Sequence, residues 1–135
     1  SSAASDVYKR QVVTGPYPQF PTDLQSPMMA VMAAAEGTGR MEETVFEGRF
    51  GTVKELQKLG ADIIIEDNRA DIHGLYPLTG AEVAARDLRG GAALVVAGLA
   101  SQGVTRITDC SHIERGYEDI CRDLRSLGAV IRGME

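Results

Sequence analysis

Four segments of this 135-residue chain combine charged side chains with loop-like composition. In Tyr17-Pro18-Gln19-Phe20-Pro21-Thr22-Asp23-Leu24-Gln25, Asp23 stands at the end of a proline-rich turn, where a carboxylate can accept a proton or a hydroxyl hydrogen bond. The same residues also have a purely structural reading. Thr22 and Gln25 spell a capping box, Asp23 in a first turn suits the helix dipole, and Ser26-Pro27 is a competing helix start. In Val45-Phe46-Glu47-Gly48-Arg49-Phe50 a strand end runs into a helix start. A helix N-terminus prefers anions, so the cation Arg49 there hints that an anion belongs beside it, while Phe46 and Phe50 read first as core. Arg86-Asp87-Leu88-Arg89-Gly90-Gly91 sets two arginines around a glycine-bearing helix start. It is either an anion site built from backbone N–H groups and guanidinium forks or a solvated charged loop. The last segment, Asp109 to Tyr117, holds His112, a general-base candidate or a solvated loop residue, and Arg115, a cation beside Gly116 on a loop able to hinge.

The elements that must position these groups repeat within the chain. Asp23-Leu24 recurs as Asp87-Leu88, Glu36-Gly37-Thr38 as Gln102-Gly103-Val104, and Leu59-Gly60-Ala61 as Leu127-Gly128-Ala129, in the same order and at nearly constant offset. Each copy reads as an Asp-Leu loop, then a helix apolar all round and so buried on every side: residues 28–35 in the first, 92–100 in the second. A strand follows, 39–46 or 105–110, and then an amphipathic helix marked by Val53, Leu56 and Leu59 or by Ile120, Leu124 and Leu127. Gly60 and Gly128 occupy helix C-terminal positions, each followed by a strand, 62–66 or 130–132; the first copy adds a strand at 70–74 and a Tyr76-Pro77 turn. The fold class is α/β, two βαβαββ repeats, the first about 12–77 and the second about 78–135, with strands outside a helical centre. The second copy lacks its final strand, so the expected domain is incomplete. Residues 1–11, Ser/Ala-rich and then polar without periodicity, read as a tail outside it. Equivalent loops of such repeats share one face, which would bring Asp23, Arg49, Asp87, Arg89 and Arg115 to a single cleft suited to a polyanionic substrate.

Composition narrows the partners. The net charge is −5, which disfavours nucleic acid or an anionic membrane held by bulk charge, and the longest apolar runs fall far short of a membrane span. Eleven of the 14 basic residues are arginine, the side chain that grips carboxylate and phosphate bidentately. Cys110 and Cys121 with His73 and His112 offer neither a disulfide scaffold nor metal-ligand spacing, and read as reduced thiols of a cytoplasmic protein.

Phe20-Pro21-Thr22-Asp23-Leu24-Gln25, Thr44-Val45-Phe46-Glu47-Gly48-Arg49-Phe50, Asp87-Leu88-Arg89-Gly90-Gly91-Ala92 and His112-Ile113-Glu114-Arg115-Gly116-Tyr117-Glu118 together resemble one family. It is the C-terminal part of the UDP-N-acetylglucosamine 1-carboxyvinyltransferases, the enolpyruvyl transferases of peptidoglycan synthesis, matched from about Val12 to Glu135. The resemblance implies an inside-out α/β barrel and a transferase that moves the enolpyruvyl group of phosphoenolpyruvate to the sugar's 3′-hydroxyl, with no cofactor and no metal. It assigns Asp23 as the base at that hydroxyl, Val45 as a backbone contact to the nucleotide sugar with Phe46 beside it, and Arg49, Arg89 and Arg115 as the phosphoenolpyruvate site. Arg115 is thereby ranked with Asp23 among the catalytic groups, and Asp87 and Leu88 fall near the closed active site. A carboxylate is a weak base for an alcohol, so proton removal is expected to accompany attack. The family's catalytic cysteine and its Lys-Asn pair belong to the other domain, and neither Cys110 nor Cys121 has that cysteine's context, so the chain alone is expected to be inactive. The alternatives are the shikimate-pathway enolpyruvyl transferase and a non-catalytic module of the same fold, including a cyclase-like relative acting on RNA ends.

Overall fold

A computed structural model describes residues 10–46, 50–74, 77–116 and 119–133, and the side chains of these except Arg10, His112 and Arg115. Strand β1 (Arg10–Val13) runs parallel to β2 (Gly37–Glu42), which pairs antiparallel with β4 (Arg69–Gly74), itself antiparallel to β3 (Asp62–Glu66). The sheet order is β1-β2-β4-β3, and a separate parallel pair joins β5 (Glu82–Ala84) to β6 (Arg106–Thr108). Arg10 and Gln11 belong to this sheet, opposite Gly39 and Arg40.

Helix α1 (Gln25–Ala34) is built from Met and Ala, good helix formers, with Pro27 in the first turn where no intrahelical N–H partner is lost. It packs on α3 (Leu88–Ala100), and both helices bury small residues: Ala30 and Ala33 in the first, Gly90, Gly91, Ala93 and Ala97 in the second. Met29, Met32, Leu94, Met41 and Ile72 fill the space between the helix pair and the first sheet. The two helices are not buried on every side, as their apolar composition suggested: Val31, Val96 and Leu99 are exposed. Helix α2 (Val53–Lys58) buries Val53, Leu56 and the following Leu59, as its three-to-four spacing requires, and Gly60 at φ +88° ends it.

The second half departs further from its sequence reading. Residues 111–116, taken as loop, form α4 (Ser111–Gly116), with Ile113 buried against the space a side chain at Gly91 would fill. Helix α5 (Ile120–Ser126) is capped by the Asp119 carboxylate, which accepts from the Arg122 N–H at 2.9 Å; it half-buries Ile120 and Leu124 but leaves Leu127 exposed. The strand expected at 130–132 is absent. Among the described residues no strand lies beside it to take its N–H and C=O groups, and Val130 is fully exposed. Tyr76 lies outside the described residues. No helix described is long and apolar enough to cross a membrane.

Candidate functional site

The starts of three helices converge on one cleft of about 290 Å³. Thr22, Gln25 and Ser26 line it from the entry to α1, Gly51 and Thr52 from the entry to α2, and Asp87 and Arg89 from the start of α3. The dipole of a helix puts partial positive charge at its start, and Arg89 adds a full one, so the cleft suits an anion. Glycine at position 90 permits the approach: a Cβ there would lie 2.4 Å from Thr52 Oγ1 and 3.2 Å from Asp87 Oδ1.

Asp23 and Arg89, separated by 66 positions in the chain, meet beside this cleft, with Arg89 Nε 2.7 Å from Asp23 Oδ1. Their side chains are 46% and 61% exposed for Arg89 and Asp23 respectively, so water screens the pair and a charged ligand can displace either member. Asp87 has a structural task as well, since its Oδ1 accepts the Gly90 N–H at 2.6 Å and starts α3. Leu88 turns to α4, where a Cβ on Gly116 would lie 2.3 Å from its Cδ1. Val45 and Phe46 are exposed and follow β2 as irregular chain, not as the end of a strand. Arg49 lies outside the described residues, and Arg115 is placed in α4 without its side chain.

The sequence reading missed the group that organises this end of the molecule. Glu43 is 2% exposed, and its carboxylate accepts five hydrogen bonds. Oε1 takes Thr22 Oγ1 at 2.7 Å and Gln25 Nε2 at 3.1 Å; Oε2 takes Thr14 Oγ1 at 2.9 Å and the backbone N–H groups of Val45 at 2.9 Å and Phe46 at 3.1 Å. The capping box expected of Thr22 and Gln25 therefore does not form. Both side chains are drawn to Glu43, and Leu24 stands at the N-cap of α1 without a side-chain bond. A signal was present, because the inward alternation of Gly39 and Met41 along β2, continued by one step, points a charged residue inside. The main chain of Glu43 is fixed too, by N–H donation to Asn68 O at 2.8 Å and by Asn68 Nδ2 donation to its own carbonyl at 3.0 Å.

Burial alone would push the Glu43 carboxyl pKa up. Hydrogen bonds from Thr22, from the Val45 and Phe46 amides and from Thr14 outweigh it and hold the group below its ordinary 4.5. Folding thus binds the proton less tightly than the unfolded chain does. The resulting stability is complete above about pH 4.5 and is lost as pH falls through the lower folded value. The Tm gap between the unaltered chain and Glu43→Gln should therefore narrow as pH falls below about 4.5, and a gap that does not change with pH would contradict this.

Comparison with known proteins shows the family. Residues 3–124 match the family described as EPSP synthase (3-phosphoshikimate 1-carboxyvinyltransferase). The chain belongs to the EPSP synthase family. Among relatives of this family chain, the UDP-N-acetylglucosamine 1-carboxyvinyltransferase of Finegoldia magna is 50% identical over 125 residues, covering 93% of the chain and 30% of the relative. UDP-N-acetylglucosamine 1-carboxyvinyltransferase 1 of Caldanaerobacter subterraneus subsp. tengcongensis is 55% identical over 120 residues, 89% of the chain and 29% of the relative. The chain thus spans about 30% of the length of these curated relatives. The crystal structure of the enolpyruvyl transferase NikO from Streptomyces tendae superposes with a TM-score of 0.81 at 35% identity, over 93% of this chain and 29% of that one. EPSP synthase from Acinetobacter baumannii, with a TM-score of 0.68 over 82% of the chain and 27% of its own, is 18% identical and shares the fold alone.

Proposed function

We propose that this chain supplies the acceptor-hydroxyl and anion-binding part of an active site that transfers the enolpyruvyl group of phosphoenolpyruvate to the 3′-hydroxyl of UDP-N-acetylglucosamine. Phosphate is released, and the reaction is a cytoplasmic step of peptidoglycan synthesis. The observation that carries this reading is the Asp23–Arg89 contact beside a cleft formed by three helix starts, in a chain half identical to relatives bearing that transferase name.

Asp23 takes the proton of the 3′-hydroxyl as the sugar oxygen attacks C2 of phosphoenolpyruvate and the C2=C3 pair takes a proton at C3, because a carboxylate is too weak a base to generate a free alkoxide first; loss of a C3 proton with phosphate then restores the double bond. Arg89 leaves Asp23 for the phosphate or carboxylate of the incoming anion, which frees the carboxylate when it is needed and offsets ligand charge at the start of α3. Arg49 and Arg115 are assigned to the same anion, Val45 and Phe46 to the nucleotide sugar, and Asp87 and Leu88 to the wall that closes near it. The fold reading is the inside-out α/β barrel of βαβαββ repeats; the order β1-α1-β2-α2-β3-β4 supports it. A cysteine and a Lys-Asn pair from outside this chain complete the site.

The test is a hybrid enzyme in which the chain replaces the 125 residues it matches in the Finegoldia magna relative. It should release phosphate from phosphoenolpyruvate only when UDP-N-acetylglucosamine is present, while the chain alone should release none above a mock purification. Use of 3-phosphoshikimate as the acceptor by the hybrid, or turnover by the chain alone, would overturn the reading.

A further inference from the structure

We propose that Glu43 is the positioning residue of this site, its carboxylate holding the Asp23 turn and the Val45–Phe46 segment in fixed relation so that one sugar meets both. The inference rests on the function proposed above. The two oxygens divide the work: Oε1 holds Thr22 and Gln25, on either side of Asp23, and Oε2 holds the amides of Val45 and Phe46 together with Thr14 beyond β1. Asp23 itself is half exposed, its turn closed by backbone bonds from the Leu24 N–H to Pro21 O at 3.1 Å and from the Gln25 N–H to Thr22 O, and by the bonds to Glu43. Glu43 is too deeply buried to touch a ligand in the cleft, so it acts through its neighbours. A planar carboxylate offers acceptor positions on both oxygens, which five donors need. An amide of the same shape turns an NH2 group toward donors on one side, and aspartate is a methylene too short to reach both.

In the hybrid enzyme, Glu43→Gln should raise KM for UDP-N-acetylglucosamine and lower kcat, each about tenfold, the size of one lost buried hydrogen bond, with KM for phosphoenolpyruvate within about twofold. Glu43→Asp should not restore the values. Thr22→Val, which keeps the shape and removes one donor, should raise the acceptor KM about threefold and covers the case in which the Glu43 variants fold poorly. In the 135-residue chain itself, Glu43→Gln should speed hydrogen exchange at the Val45 and Phe46 amides about tenfold and leave Ile63 and Ile72 in the sheet unchanged. Variants that lower Tm with both KM values and kcat intact, or that move both KM values alike, would show Glu43 to be a fold anchor and overturn the inference. Asp23→Asn separates the two claims. If it lowers kcat about 10²-fold or more while Glu43→Gln and Thr22→Val are kinetically silent, the positioning role falls and the proposed function stands; if it lowers kcat less than about tenfold, both fall.

Discussion

Replacing Asp23 with asparagine should lower kcat of the hybrid enzyme about 10²–10⁴-fold, the usual worth of a placed general base. Asparagine keeps the shape of the side chain and an oxygen to accept a hydrogen bond from the 3′-hydroxyl, so the KM for UDP-N-acetylglucosamine should move little. It cannot take the proton as the oxygen attacks. The loss therefore belongs in kcat, where an interaction made only in the transition state appears. Asparagine also gives up the ion pair with Arg89, but that pair is between half-exposed groups and contributes little to folding. Steady-state rates of phosphate release measure the effect, and a decrease smaller than about tenfold would mean that another group accepts the proton.

Arg89→Ala should act on the other substrate. Arg89 lies in the first turn of α3, where backbone N–H groups already attract anions and its guanidinium supplies the charge-assisted partner. Removing it should raise KM for phosphoenolpyruvate about 30-fold to 100-fold, the equivalent of a charged hydrogen bond of about 2–3 kcal/mol, with the acceptor KM within about threefold. Lysine at this position should recover only part of the loss, because a point charge replaces a planar fork. If Arg89→Ala instead raises the two KM values equally, Arg89 is only the surface partner of Asp23.

These expectations rest on parts of the molecule that were unequally legible in the sequence. The two long helices could be read from their small apolar residues. Their starts could not, because helix α3 begins at Leu88, well before the apolar run at Ala92, and carries Gly90 and Gly91 in its first turn. Glycine weakens a helix in isolation, yet here the approach of Thr52 to Gly90 and of Ile113 to Gly91 leaves no room for a larger residue. Tertiary contact therefore overrode propensity. Spacing made Asp23 and Asp87 look like equivalents, but in the structure they do different work, one paired with Arg89 and the other capping α3. Residues 39–46 read as one strand since Thr44, Val45 and Phe46 favour extended chain; β2 stops at Glu42 because Glu43 folds its carboxylate back onto the amides of Val45 and Phe46. A bond of that kind depends on a buried acceptor, which hydropathy alone assigns to the surface.

The central claim is that the Asp23 carboxylate faces the acceptor hydroxyl while Arg89 holds the donor's charge. A crystal structure of the hybrid enzyme with UDP-N-acetylglucosamine bound tests it most directly. The expected result is Asp23 within about 3 Å of the sugar's 3′-hydroxyl, with Arg89 turned away from Asp23 toward the phosphoenolpyruvate site. A 3′-hydroxyl hydrogen-bonded to a different carboxylate or histidine, with the Asp23–Arg89 pair still closed, would contradict it.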